Sequence, residues 1–517
     1  MKAEGTLLEG LKRPEAYPHP VERVEVVQTH ISYVFLAGDY AYKVKKPLNL
    51  GFLDYSTLRK RHFYCRREVE LNRRYCPETY LGVVPIVRGR EGLQVGGRGR
   101  PVEYAVMMRR IPQEAMLDHM VERGEATPEL LASIGRHLAE AHARSPTSPH
   151  MARLGTWAIA YAWRENFAQW APMVGELITA EQDALLRGYV EWFLRRRRPL
   201  LRQRAQEGRV RDCHGDLRAE SIAILPQGRI CIMDCIEFNR RLRYTDVLGD
   251  VAFLAMDLER RGRPDLARAF VEAYVEASGD HGLWEVLDFY LCYRAAVRGK
   301  VEGIRAHQPE VPAQERAEAA ASARRFFELA CRYARRHWPC LIITCGLAGV
   351  GKSTLARALG LEMISSDVVR KEIAGLPPNA RRPEAFGAGI YSPRMTERTY
   401  HALIERGRHL LRQGRWVVLD ATFLRRRHRE MARRMAAQEG VRFLCVLLEA
   451  PAGEVRRRME RREEEGTDFS DARWEVYLAQ REAWEPPDDI PPSQLLALDA
   501  TRPPEELARA VLGFLGR

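Results

Sequence analysis

Three groups of residues in this chain have the types and spacing that phosphate chemistry needs. The first is "GLAGVGKST", Gly346 to Thr354, which fits GxxxxGK[ST] without a mismatch between the apolar run "CLIITC" and a helix-forming run. Glycines at Gly346, Gly349 and Gly351 let the backbone amides of this loop, with those of Leu347, Ala348 and Val350, turn towards an anion. The following helix N-terminus adds its dipole. In such a loop Lys352 reaches the β- and γ-phosphates of a nucleotide, and the hydroxyl of Ser353, beside Thr354, ligates magnesium. The second group is a pair of aspartates. Asp367 in "MISSDVVRKEIAG" and Asp420 in "WVVLDATF" each close an apolar run. Ligands in an open parallel sheet sit beyond the carboxyl ends of the strands. Asp367 is therefore placed to take a proton from an acceptor hydroxyl, with Arg370 one helical turn on to hold an anionic acceptor. Asp420 is placed to hold magnesium through water. The alternative for each is a helix N-cap, which Asp fills well.

The third group begins at "HGDL" and runs through "RICIMDC". Phosphoryl transfer needs a base near the acceptor, a metal bridging the phosphates and a cation upon them. Here Asp216 is the candidate base and Asp234 the candidate metal ligand. Upstream, the alternation of "YAYKVKK" puts Lys43 and Lys45 on one face of a strand. Glu68 lies on the helix after it as an ion-pair partner, with Lys43 the favoured lysine. Ser221 stands five residues after Asp216, where this chemistry uses Asn, so its hydroxyl is the candidate second metal ligand. Glu237 is weighed between a compensating ligand and a surface carboxylate. Asp246 and Asp250 are expected to brace the loop. The turn "QTHISY" has no glycine, so covering a phosphate there falls to Ser32 and backbone amides.

The elements that must position these groups divide the 517 residues into two modules. Short strands around one helix run from Val21 to Arg110, with a hairpin turn at Gly38–Asp39 and a helix capped by Ser56. Helix dominates from Pro112 to about Trp338, ending in "QERAEAAASARRFFELACRYARR". Beyond Pro339 the apolar strands "LIITC", "EMISSD", "WVVLD", "VRFLCVLLE" and "QLLALDA" alternate with helices, which indicates a parallel sheet covered on both faces. The expected domains are 1–110, 111–337 and 338–517. The fold class is multidomain, α+β and then α/β. "RREEEGTDFSDAR" is the candidate mobile surface loop.

Composition limits the function classes. An apolar content of 46% suits a globular core, and no run approaches a membrane span. The start "MKAEGTLLEG" has no signal-peptide core, so a cytoplasmic location is expected. Ten cysteines lie singly and read as reduced core thiols, neither disulfides nor zinc ligands. The net charge of +13 comes largely from arginine runs such as "RRRR" at Arg195–Arg198. No aromatic residues interleave them, which favours a solvated surface over a nucleic-acid platform.

Residues 341–517 resemble the P-loop kinases of the polynucleotide kinase, zeta-toxin and gluconate kinase group. There the second strand ends in an Asp, often with an Arg three residues on, as in Asp367 and Arg370. The resemblance also implies an arginine-bearing lid, matched by "EVRRRMERREEEGTDFSDAR", with Arg458 and Arg462 as its contacts. Residues 20–337 resemble the aminoglycoside phosphotransferase, two-lobed protein-kinase-like fold. The whole chain resembles the bifunctional aminoglycoside phosphotransferase and ATP-binding family, sharing "THISYVFLAGDYAYKVKKP", "LGFLDYSTL", "DCIEFN" and "DVLGDVAFLAMDLE". These resemblances imply an ATP- and magnesium-dependent kinase acting on a small-molecule hydroxyl. A nucleic-acid 5′-hydroxyl kinase and a regulatory ATPase with a ligand-sensing first module are the alternatives.

Overall fold

The computed structural model describes residues 2–51, 53–90, 92–377, 387–465 and 473–516. They fall into two units, residues 1–179 with 198–330, and residues 180–197 with 331–517. The second unit thus begins before Trp338 and takes in the Ala180–Arg196 helix from far earlier in the chain. Gly188 on that helix packs against the Trp338 ring, whose Nε1 donates to Gly440 O at 2.9 Å.

In the first unit, β1 (Val24–Gln28), β2 (Ser32–Ala37), β3 (Tyr40–Lys45), β4 (Tyr80–Arg88), β5 (Leu93–Val95) and β6 (Pro101–Arg109) form one antiparallel sheet. Its order is β1-β2-β3-β6-β4-β5. The expected hairpin is present. Ala37 pairs with Tyr40, and Gly38 takes the left-handed φ of 57° that the two-residue turn requires. The Leu58–Asn72 helix packs on β4 and β6. Its cap is Thr57, whose side chain accepts from Lys60 N, and not the expected Ser56.

Helices carry the rest of this unit. Within Leu248–Arg260 every residue from Leu248 to Leu258 is buried, Asp250 and Asp257 included. Two short two-stranded sheets deliver the loop residues. β7 (Val210–Asp212) pairs with β10 (Tyr244–Asp246), and β8 (Ile222–Leu225) pairs with β9 (Arg229–Ile232).

The expectation of wholly reduced cysteines is corrected here. Cys76 and Cys231 form a disulfide, 155 residues apart in sequence. Spacing along the chain carries no sign of it, because the pair meets only through the fold. The other eight cysteines are buried free thiols.

In the second unit β11 (Cys340–Cys345), β12 (Glu362–Ser365), β13 (Val417–Asp420), β14 (Arg442–Glu449) and β15 (Leu495–Asp499) form a parallel sheet. Its order is β12-β13-β11-β14-β15. All six residues of β11 are buried, as a central strand covered on both faces must be. Among the described residues no helix is long and apolar enough to cross a membrane.

Candidate functional site

The loop after β11 has the backbone that its glycines permit. Gly346 has φ 142° and Gly351 φ 108°. A Cβ on Gly346 would lie 2.6 Å from the Leu448 carbonyl oxygen, so any side chain there would break the loop. Lys352 opens the Lys352–Ala358 helix, and its Nζ donates to Leu347 O across the loop at 2.7 Å. Ser353 Oγ donates to Asp420 Oδ2 at 2.6 Å. Asp420 is buried at the end of β13, and no helix begins there, so it is not a cap.

Asp367 lies in the first turn of the Ser366–Ile373 helix, two residues beyond β12, and the cap position belongs to Ser365. No hydrogen bond or ion pair holds its carboxylate among the described residues. Burial, with the Asp420 charge adding to it, holds this carboxyl above its ordinary value against the opposing charges of Arg370, Lys371 and Lys352.

These groups line one cleft of about 300 Å³, which brings together Lys352, Ser353, Asp367, Arg370 and Asp420. Arg370 is 7% exposed and donates to Ile390 O at 3.0 Å and Thr396 Oγ1 at 3.2 Å, with its guanidinium over the Tyr391 ring. Its Nε is buried without a hydrogen-bond partner among the described residues. Arg425, Arg427 and His428 enter the same cleft from the segment after β13, and the His428 ring stacks on Tyr400 at 3.8 Å.

Gln480, 132 residues beyond Ala348, accepts from the Ala348 amide at 2.8 Å. Sequence reasoning misses this wall of the cleft because nothing in a short motif points so far along the chain.

Arg458 is placed differently from the lid contact expected of it. Its guanidinium donates to Glu454, to Val350 O at 3.2 Å and to Ala500 O at 2.9 Å. It braces the back of the loop and does not line the cleft. The Arg462 side chain and most of "RREEEGTDFSDAR" lie outside the described residues, as does Phe52 in "LGFLDYSTL".

In the first unit both lysines of β3 reach the same carboxylate. Lys43 Nζ lies 2.8 Å from Glu68 Oε1 and 2.7 Å from Asp234 Oδ1, and Lys45 Nζ lies 2.6 Å from Glu68 Oε2. The preference for Lys43 alone is thereby widened to both. Burial works to lower the Lys43 pKa, but Asp234 and Glu68 outweigh it and raise it. Glu237 is buried against Lys45 and Tyr55, so it is not the surface carboxylate weighed for it.

Asp234 comes just after β9 with a left-handed φ of 62°, its amide donating to Tyr80 Oη at 3.2 Å and its side chain 64% exposed. Asp216 Oδ2 accepts from Arg218 Nη2 at 3.2 Å. Burial works to raise this carboxyl; the Arg218 charge and hydrogen bond, with Arg298 and Arg294 behind them, hold it low. Asp250 braces the loop as expected, accepting from His214 N at 2.7 Å and Gly215 N at 2.8 Å.

Two hydroxyls in this unit sit otherwise than expected. Ser221 Oγ donates to Arg218 O at 2.7 Å and accepts from Arg218 N at 3.0 Å. Its proton and one lone pair close the turn of its own loop. Ser32 is wholly buried, and among the described residues its hydroxyl has no hydrogen-bond partner. Ser353 and Asp420 do fit a magnesium ion. A hydroxyl and a carboxylate already in hydrogen-bond contact, facing a cleft behind a phosphate loop, are the oxygen donors that ion takes.

Comparison with known proteins agrees with the two-unit geometry. A Phosphotransferase enzyme family model matches residues 64–290, and an AAA domain model matches residues 341–487. An uncharacterized protein of Mycobacterium tuberculosis (strain ATCC 25618 / H37Rv) is 35% identical over 438 residues, 83% of this chain and 85% of that protein. One from Mycobacterium bovis (strain ATCC BAA-935 / AF2122/97) matches to the same extent.

Among solved structures, a choline/ethanolamine kinase family protein from Mesorhizobium loti is 12% identical. It covers 65% of this chain and 100% of its own, with a TM-score of 0.37. The Mycobacterium tuberculosis APS kinase is 20% identical, covering 35% of this chain and 99% of its own, with a TM-score of 0.26.

Fold and site together define a two-module chain, a phosphotransferase-type unit and then a P-loop unit. The chain belongs to the family of these mycobacterial proteins.

Proposed function

We propose that this protein is an ATP-dependent kinase whose P-loop unit transfers the γ-phosphate to a hydroxyl acceptor. The observation that carries the reading is the one cleft that Lys352, Ser353, Asp420, Asp367 and Arg370 line together. Lys352 and the loop amides bind the nucleotide phosphates. Ser353 and Asp420 hold magnesium, which when bound neutralises phosphate charge. Asp367 accepts the proton of the acceptor hydroxyl, and its raised pKa brings it closer to that task. Arg370, with Arg425 and Arg427 lining the same cleft, favours an acceptor that carries negative charge.

A second reading applies to the first unit. Lys43 is paired with Asp234, Asp216 with Arg218, and Ser221 is used by its own turn. These contacts favour a unit that senses a ligand over one that itself transfers phosphate. Titration of the full chain with magnesium-ATP tests the assignment of the nucleotide to the P-loop unit. Lys352→Ala is expected to remove the tighter binding event. Two unchanged isotherms would refute it.

A further inference from the structure

Arg218, Arg298 and Arg294 all bring positive charge to bear on Asp216. Arg218 and Arg294 lie on the same ring, their guanidinium carbons 5.8 Å and 4.5 Å from the Phe253 centroid. Arg298 and Arg260 share the Phe326 ring, at 5.8 Å and 5.1 Å. Aromatic faces hold guanidinium groups in place without neutralising them.

The acids within reach are all taken. Glu302 pairs with Arg298, Asp257 with Arg260 and Arg261, and Glu220 and Asp216 with Arg218. Arg294 is left. It is 6% exposed, and among the described residues it makes no ion pair and one hydrogen bond, from Nε to Gly249 O at 2.8 Å. Neither Nη group has a hydrogen-bond partner among the described residues, which leaves both open to an anion. Arg218 Nε is buried and has no hydrogen-bond partner among the described residues. Burial and the Arg218 charge together lower the Arg298 pKa, as expected where cations crowd one another.

We infer that the first unit binds a compact phosphate-bearing small molecule at Arg218, Arg294 and Arg298, beside Asp216. Planar guanidinium forks on fixed ring faces match the oxygens of a phosphate group, and three of them suit a dianion better than a single carboxylate. The same arginines repel cationic amino compounds, so a polyamine-like acceptor is excluded from this side of Asp216. The inference rests on the ligand-sensing reading of the unit only in taking the Asp216 side as the place where that ligand sits. The anion site itself stands on the arginines.

Calorimetry with inorganic phosphate at fixed ionic strength tests it, on the full chain carrying Lys352→Ala so that the P-loop no longer contributes. Phosphate should bind, and Arg294→Gln and Arg298→Gln should each weaken it by roughly tenfold or more, the size of one lost charge-assisted hydrogen bond. Arg294→Lys should recover part of the loss. Arg298, at 20% side-chain exposure, serves as the variant least able to disturb the fold.

Glycerol 3-phosphate should displace phosphate, and the cationic 3-amino-1,2-propanediol should not. ATP and glycerol 3-phosphate should bind together. Mutual exclusion would mean that the arginines hold the nucleotide's own phosphates, and would overturn the inference. So would absent phosphate binding, binding unchanged in both glutamine variants, or a preference for the amine. Phosphate binding retained in a first unit that takes no magnesium-ATP would end the kinase reading and leave the anion site standing.

Discussion

Asp250→Asn should loosen the loop that carries Asp216, by an amount the structure allows to be worked out. The carboxylate accepts from two backbone amides, His214 N at 2.7 Å and Gly215 N at 2.8 Å, and lies 3.2 Å from His142 Nε2, in a site with no solvent exposure. Asparagine keeps one acceptor oxygen and puts an N–H donor where the other stood. One buried amide then loses its partner and two charge-assisted bonds become neutral, a cost of about 2–4 kcal/mol. Amide hydrogen exchange at His214 and Gly215 should accelerate by about 30- to 1,000-fold, since each 1.36 kcal/mol is a factor of about ten.

The pH dependence has a definite sign. Burial works to raise the Asp250 carboxyl, but the His142 hydrogen bond and the charges of His142, His214 and Arg294 hold it at about 2, against an ordinary 3.8. A depressed folded pKa contributes stability above the unfolded value that is lost as pH falls through the folded one. Wild-type protection should therefore decay between about pH 4 and pH 2, by about 2 kcal/mol, and the variant should lack that decay. Equal exchange rates in the two proteins at neutral pH would refute the bracing role.

Three further outcomes rest on the same kinds of contact. Reduction, or Cys76→Ser, should destabilise the first unit by about 2–5 kcal/mol, because the disulfide closes a long loop in the unfolded chain; a melting temperature indifferent to reductant would contradict it. Ser221→Asn should destabilise the first unit by about 1–2 kcal/mol without tightening magnesium-dependent ATP binding, since the hydroxyl it replaces is buried and bonded at both ends; tighter binding would restore Ser221 as a metal ligand. Phosphate transfer should rise with pH through an inflection above the ordinary carboxylate value of 3.8, because Asp367 must ionise against burial and Asp420; a flat profile from about pH 4 to 8 would exclude Asp367 as base.

The second unit is legible in the sequence nearly strand for strand, for a physical reason. A parallel sheet buried on both faces writes continuous apolar runs into the chain, and a phosphate loop writes glycines at fixed spacing, as in Gly346–Thr354. The order of the strands and the cleft wall at Gln480 and His428 depend on packing between distant segments, which no local pattern encodes. In the first unit the period-2 alternation puts Lys43 and Lys45 on one face correctly. It cannot say that Glu68 takes both, or that Glu237 is drawn in under Tyr55. Ser221 shows the limit most clearly. Its position in the motif names a role, but a short hydroxyl beside its own turn bonds the Arg218 backbone first. The Cys76–Cys231 pair and the arginines around Asp216 leave no local signature, because their partners are brought together only by the fold.

Transfer of labelled γ-phosphate from ATP to a panel of hydroxyl acceptors, by the full chain and its Asp367→Asn variant, tests the central claim most directly. The account predicts acceptor-dependent transfer by wild type, and a loss of about 10²–10⁴-fold in Asp367→Asn with ATP affinity preserved. ATP turnover that needs no acceptor, or transfer undiminished in the variant, would contradict it.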